Sequence, residues 1–443
     1  LAEPVCTILN STFREQKFPS AWKLANITPL IKAKPVTDVS KHLRPISLTP
    51  ALSKVAEDFI VATYISPAIL SIIDPDQFGA VPGSSTTHTL ISMIHNWAEA
   101  TDATGAAVRI MLLDYRKAFD LIDHNILAKK ICDLPIPLGI ARWVVDFLTN
   151  RKQRVKLAND CYSEWGHTLA GVPQGTKLGP WLFLLMINDL KFTTASKWKY
   201  VDDTSVAEIV KKGDCSTIQS DAELVQNWSR ENKLQLNTEK CKEMIIDFKK
   251  EKNSFDPIVI EGKEFDIVNH AKILGVTVSN NLLWNNHIND VLRKANKRLY
   301  FIVLLKRARL PAEDIIRFYC TCIRPVLEYC APVFHHSLSK YLNEDLEMVQ
   351  KRVLSILSPG NSYQYNLGKF QLPTLQRRRQ ELCYNEFRRI ICDKSHKLYN
   401  LLPPEHQPKY DFRHKRTFNV VRSKTIRFQK TFIPMMCSLF NNF

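Results

Sequence analysis

The chain has 443 residues, 45% of them hydrophobic, with 13 glycines and 23 prolines, which excludes collagen-like and low-complexity chains and leaves room for a large core in more than one domain. Its 61 Lys and Arg against 44 Asp and Glu give a net charge of +17, so a polyanionic partner is expected, either nucleic acid or an anionic surface. The 11 cysteines are an odd number without framework spacing, which fits a reducing intracellular compartment better than a disulfide scaffold.

Residues 1–10 have a helical pattern that Pro19 and Ser20 break. Because the chain opens on Leu1 inside such a pattern, it is expected to be a fragment of a longer polypeptide. No signal peptide is recognisable, and apolar runs fall short of the ~20 residues that span a bilayer, so no membrane partner is expected. Residues 27–31 read as a strand, and a basic stretch follows from Lys32 to Lys41. Arg44-Pro45-Ile46-Ser47-Leu48 then leads into an amphipathic helix over 49–66. A turn cluster at 81–85 precedes a helix through Trp97. Residues 108–113 are apolar apart from Arg109 and suit a strand buried on both faces, ending at Asp114. Asp123 is placed to cap the next helix.

Further on, residues 151–158 read as a strand, 171–179 as a loop and 180–190 as a strongly apolar helix. Residues 198–210 form a predicted hairpin with Asp202 and Asp203 at its tip. A helix over 220–232, a strand over 244–248 and a strand over 273–278 follow, the last turning at Asn280-Asn281. From His287 the pattern is helical, with a boundary near residue 285. The cysteines Cys320, Cys322 and Cys330, with His335 beyond, lack zinc-clip spacing and read as core thiols.

Asp114 and the Asp202-Asp203 pair stand where predicted strands meet solvent. Like charges gathered there raise one another's pKa, a penalty that a divalent cation removes. Oxygen-only ligands select Mg2+ or Mn2+ over zinc. Two such ions about 4 Å apart can activate a 3′-hydroxyl and stabilise a leaving pyrophosphate, which is the chemistry of a nucleotide polymerase. Alone, Tyr200-Val201-Asp202-Asp203 is equally well a polar hairpin tip. Alone, the Pro173-Gln174-Gly175 loop reads better as a simple turn before a core helix, although its glycine would let backbone approach a nucleotide.

In order along the chain, these segments resemble the motif series of reverse transcriptases from non-LTR retrotransposons, of the jockey-like LINE type. Residues 44–48 resemble the fingers motif, the Asp114 block motif A, the Gly171 block motif B and residues 200–203 motif C. Residues 236–240 are similar to motif D and 273–276 to the primer-grip hairpin, with Trp284 and His287 following. The likeness is close over 20–310 and looser beyond. It implies an α+β right-hand polymerase with fingers, a palm built on an antiparallel sheet, and a helical thumb, plus a mostly helical C-terminal extension. The implied division is an N-terminal helical segment (1–30), fingers and palm (31–284), thumb (285–360) and a basic extension (361–443).

The same resemblance implies that Asp114, Asp202 and Asp203 are the catalytic, metal-holding triad, with Mg2+ or alternatively Mn2+ as cofactor. Tyr115 would lend a backbone carbonyl to the nucleotide-side metal. Lys32 and Arg44 would contact the triphosphate, with Lys34 equally near to take the place of Lys32. Gln174 and Gly175 would line the nucleotide pocket, and Lys240 would act near the departing pyrophosphate. Phe119 matches the steric-gate position, where a ring excludes a ribose 2′-hydroxyl; it also reads as a core aromatic. The implied partners are template RNA, primer DNA and dNTP, with target-primed copying into a genome. The implied context is a polyprotein carrying an endonuclease, nuclear with a cytoplasmic ribonucleoprotein phase. A decayed nucleic-acid-binding relic is the alternative, and the three intact carboxylates count against it. Arg109 in the motif A strand and Lys177 in the motif B loop depart from the family pattern.

Residues 291–309 hold seven Lys and Arg and no acid. Val291, Leu292, Ala295, Leu299 and Ile302 recur at helical spacing with the charges largely off that stripe, which suits a thumb helix facing phosphates. Arg377-Arg378-Arg379 and the tail 413–430 add charge. Phe412, Phe418 and Phe428 in this region could stack on template bases, or the segment could fold back on the thumb.

Overall fold

The structure is a computed structural model that describes residues 2–32, 34–194, 196–406 and 417–441, the side chains of 40 and 41 excepted. Its centre is a five-stranded sheet in the order Asp266–Ile267, Lys242–Ile246, Ala107–Leu113, Asp203–Val210, Ser196–Tyr200. Ala107–Leu113 runs antiparallel to both neighbours. Successive side chains of a strand point to opposite faces, and here both faces are covered. Val108 and Ile110 enter one core with Met244 and Ile246, while Met111 and Leu113 enter another with Val206. The apolar run is therefore the middle of a three-layer palm.

A second sheet, in the order Leu43–Leu48, Leu24–Ile31, Arg151–Val155, Gly166–Thr168, makes the fingers. The helix expected over 49–66 is longer. Ala51–Ile60 continues through a π turn at Val61–Ile65 into Ser66–Ile72, with Pro67 accommodated at the start of the last piece. The joined stretch, Ala51–Ile72, is 22 residues and apolar enough by length and composition to cross a membrane, so the expected absence of such a run does not hold. Its stripe of Ala56, Ile60, Ile65 and Ile69 is fully buried in the fingers–palm core.

The strand expected over 273–278 is a hairpin, His270–Ile273 with Val276–Ser279, as the resemblance at 273–276 implied. Leu274 and Gly275 turn it with φ of +46° and +89°, a conformation that glycine accepts without cost.

Beyond it the thumb begins with Asn285–Arg307. Val291, Ala295, Leu299 and Ile302 are buried, and Arg293, Lys294, Lys297 and Arg298 are exposed. The described residues of 361–441 share one core with the thumb and with the palm helix Thr86–Ala100. Phe418 and Phe428 are 5% and 2% exposed, so they are packing residues and do not offer rings to bases; Phe412 lies outside the described residues. Arg379 is likewise buried, and Arg378 pairs with Glu328 at 2.5 Å. Phe428→Ala is expected to lower stability by about 3 kcal/mol, the cost of emptying a packed aromatic site. A urea melt measures this, with RNA affinity of the folded variant unchanged.

Candidate active site

Register alone gathers the acids. Leu113 pairs with Thr204 and Tyr200 with Asp203, so Asp114 lies one rung on, beside Asp203, with Asp202 in the turn. On the other flank Leu112 pairs with Lys242, which runs Lys240 and Cys241 alongside Asp114. Lys240 Nζ stands 3.5 Å from Asp114 Oδ2. The Asp114 backbone is fixed from that side: its N–H donates to Cys241 Sγ at 3.4 Å, and its carbonyl accepts from Asn237 N at 2.8 Å. Asp114, Asp203 and Lys240 border one cavity of about 430 Å³.

The turn carrying the acids is held under strain. Val201 has φ of +60°, costly for a β-branched residue. Gln77, 2% exposed, accepts from Val201 N at 3.0 Å and from Gly79 N at 2.9 Å. A Cβ on Gly79 would stand 2.4 Å from Val201 N. The Gln77–Gly79 backbone thus lies directly against the turn. Sequence reasoning missed both residues; the Gln-Phe-Gly step between two helices was the available signal.

Burial first, and the neighbouring acids second, disfavour the charged forms of Asp202 and Asp203. Loss of hydration raises the Asp202 carboxyl, Asp114 raises it further, and Arg44 and Lys32 partly offset this. Asp203 is pushed up to about 6, by loss of hydration and then by Asp202 and Asp114. Asp114 Oδ2 is buried and accepts no hydrogen bond. Three mutually repelling carboxylates, one with an unsatisfied buried oxygen, fit a hard divalent cation held by oxygen.

The residues expected around a nucleotide fall as follows. The pairing of Leu30 with Arg44 brings Lys32 and Arg44 to the same end of the fingers hairpin, and both are felt at Asp202. The Tyr115 ring is buried in the core. Phe119 is half-buried and stacks on Phe183 with centroids 4.7 Å apart. Gln174 donates to Asp120 Oδ1 at 3.0 Å, and its carbonyl accepts from Ser47 N at 2.8 Å. Gly175 has φ of +110°, and an added Cβ would lie 2.9 Å from Ser47 O. Lys177 turns its side chain out to Asp58 at 3.1 Å.

Another grouping of metal-ligating atoms, His88, Glu386 and His396, lies within 4.8 Å. Leu398 N donates to His396 Nδ1 at 3.1 Å, so the imidazole proton sits on Nε2 and leaves no free lone pair there. His88 Nε2 is bonded to Glu386 Oε1 at 2.5 Å. The trio ties the Thr86–Ala100 helix to Leu375–Cys392.

A palm sheet ending in carboxylates, closed by a fingers sheet and a helical thumb, is the architecture of a right-hand polymerase. Residues 31–278 match the family model described as reverse transcriptase (RNA-dependent DNA polymerase), and the chain belongs to that family. A second model, alkylated DNA repair protein alkB homolog 8, N-terminal, matches residues 284–324. The chain is similar to the probable RNA-directed DNA polymerase from transposon X-element of Drosophila melanogaster, at 26% identity over 80% of this chain and 40% of that protein. It is also similar to the RNA-directed DNA polymerase from mobile element jockey of the same species, at 28% identity over 80% and 40%. It therefore spans about two fifths of the length of those relatives, 40%. Among solved structures it is similar to apo telomerase from Candida Tropicalis, with TM-score 0.45 and 13% identity over 83% of this chain and 63% of that one.

Proposed function

We propose that this chain is the polymerase core of an RNA-directed DNA polymerase of a non-LTR retrotransposon, adding dNTPs to a primer 3′-end on an RNA template. The observation that carries this reading is the placement of Asp114 beside the Asp202-Asp203 turn, with like-charge crowding and an unsatisfied buried oxygen. Asp114, Asp202 and Asp203 would hold Mg2+, or Mn2+ in its place. Bound there, the ions would supply activation of the 3′-hydroxyl and neutralisation of the reacting phosphates. Lys32 and Arg44 draw the triphosphate to the carboxylate end of the palm. Tyr115, its ring fixed in the core, presents backbone to the nucleotide. Gln174 and Gly175 line the nascent pair, and Lys240 stands where it can neutralise the departing pyrophosphate. The family supports a polyprotein context with an endonuclease and a nuclear site of action with a cytoplasmic ribonucleoprotein phase.

The direct test is extension of a DNA primer on poly(rA) with Mg2+, comparing dTTP with UTP, with Asp202→Ala as control. Extension that survives Asp202→Ala would remove the reading. The stacked Phe119 ring supports a rigid gate against the 2′-hydroxyl. Phe119→Val is therefore expected to raise UTP incorporation relative to dTTP by about 10- to 100-fold, the range for steric discrimination of one small group. Steady-state kinetics with each nucleotide measure the ratio.

A further inference from the structure

Glu57 is fully buried, on the fingers helix Ala51–Ile60. Its Oε1 accepts from Ser53 Oγ at 2.7 Å. Its Oε2 accepts from the backbone N–H of Lys177 at 2.8 Å and of Leu178 at 3.3 Å. Those N–H groups open the helix Leu178–Ile187, whose own N-cap residue, Lys177, brings no side-chain bond to it. The first N–H groups of a helix lack partners within it, and the positive end of the helix favours an anion. Here the anion comes from another helix, 120 positions away in sequence. Burial raises the Glu57 carboxyl, and Ser53, the two N–H groups and, least of all, Arg151 draw it back toward the charged form; the Arg151 guanidinium itself bonds the carbonyls of Phe147 at 3.0 Å and Trp22 at 3.5 Å. The carboxylate is therefore matched to the helix start and to Ser53.

The loop just before that helix is anchored at its other end by the fingers as well. Ser47 N donates to Gln174 O at 2.8 Å, and Gly175 packs its α-carbon against Ser47 O. Gln174 and Gly175 lie between these two anchors, both supplied by the chain that follows Arg44. We propose that Glu57 is a positioning residue for the nucleotide pocket: by capping the helix at Lys177 and Leu178 it fixes the Gln174-Gly175 loop to the fingers, so that fingers and pocket floor move as one body. Its effect on catalysis rests on the polymerase reading above.

Glutamine can keep the contacts. Its oxygen faces the two N–H groups, and its NH2 faces Ser53 Oγ, which can turn to accept. Alanine leaves both N–H groups unpaired. Glu57→Ala is expected to raise KM for dNTP at least tenfold with kcat changed less than threefold and primer–template affinity unchanged. E57Q should restore KM to within threefold of wild type, whereas Glu57→Met, which fills the same space without an acceptor, should not. Hydrogen exchange at the Lys177 and Leu178 amides should accelerate at least tenfold in E57A and E57M, with the Ala107–Leu113 strand unchanged. If E57A does not fold, E57M carries the same comparison. Wild-type KM in both variants, or exchange that quickens uniformly, overturns the proposal. Absence of extension by the wild-type chain counts against the polymerase reading alone, and exchange still decides the role of Glu57.

Discussion

Asp203→Asn is expected to lower primer extension by more than about a thousandfold, because it removes one carboxylate from a site whose chemistry rests on charge. The fold should not suffer. Asp203 stands at the cavity mouth with its carboxyl partly stripped of hydration and crowded by Asp202 and Asp114, so losing its charge relieves both penalties. Solvent screening limits the gain to at most about 1 kcal/mol. The sign of the pH dependence follows from the raised pKa. The folded protein holds this proton more tightly than the unfolded chain, whose aspartates titrate near ~3.9. The stability the proton contributes is thus present below that value and is lost as pH rises through about 6. A divalent cation reverses the preference by favouring the ionised form. Mg2+ at a hundred times its Kd stabilises by about 2.7 kcal/mol if only the folded state binds it. Mg2+ is therefore expected to raise Tm at pH 8 and barely at pH 5, and Asp203→Asn should lose most of the shift. Scanning fluorimetry at the two pH values, with and without Mg2+, reads this. An equal shift in the variant would show that the ion is held elsewhere.

Such a test is available because the acids were legible in the sequence. Each sits at the end of an apolar run, and the antiparallel pairing of two such runs leaves little freedom in where their ends meet. The fingers strand at 27–31, the apolar helix of the 171–190 segment and the thumb helix were legible for the same reason: their hydrophobic period is local. What stayed hidden depends on distant partners. Nothing around Glu57 marks it as a cap, because the N–H groups it serves belong to a loop that only folding brings near. Gln77 and Gly79 matter through the backbone of Val201, and the Gln-Phe-Gly step marks a turn there without recording that partner. At 273–276 the residue pattern alone read one strand, because the turn residues Leu274 and Gly275 sit inside an apolar run and break the ladder by dihedral angle; the hairpin was legible there only through the family resemblance. In the tail, abundant Lys and Arg suggested RNA, yet Phe428, Phe432 and Met436 recur every four residues and are all buried. Helical spacing of apolar residues was there the better guide than charge.

Arg109, the departure in the motif A strand, is expected to matter to folding through its partner Glu243 and to be incidental to chemistry. It lies five residues before Asp114, with its side chain 5% exposed and paired at 2.7 Å with Glu243, which is 0% exposed. Its two terminal nitrogens donate to Ser216 Oγ at 2.9 Å and Asp256 O at 2.8 Å, and the guanidinium lies 4.7 Å over the Phe255 ring. Ser216 in turn bonds Glu208, which accepts from Thr217 N at 2.6 Å and Ile218 N at 3.3 Å at the start of Ile218–Glu231. One buried network thus joins three palm strands to the helix packed on them. Arg109→Ala leaves a buried carboxylate without its partner, and Glu243→Ala leaves a buried guanidinium, each costing about 3–5 kcal/mol. Replacing both, as Arg109→Met with Glu243→Leu, removes the stranded charge and should recover most of that loss, because apolar packing of similar volume substitutes well for a buried ion pair. A double-mutant cycle of Arg109→Met, Glu243→Leu and the two together, from denaturant melts, gives the coupling directly. If the double variant is as unstable as the sum of the singles, the pair is no pair, and Arg109 matters only through Ser216 and Asp256. Primer extension by the double variant, measured well below its Tm, should stay within a few-fold of wild type, since the network faces the side of the sheet remote from the turn that bears the acids.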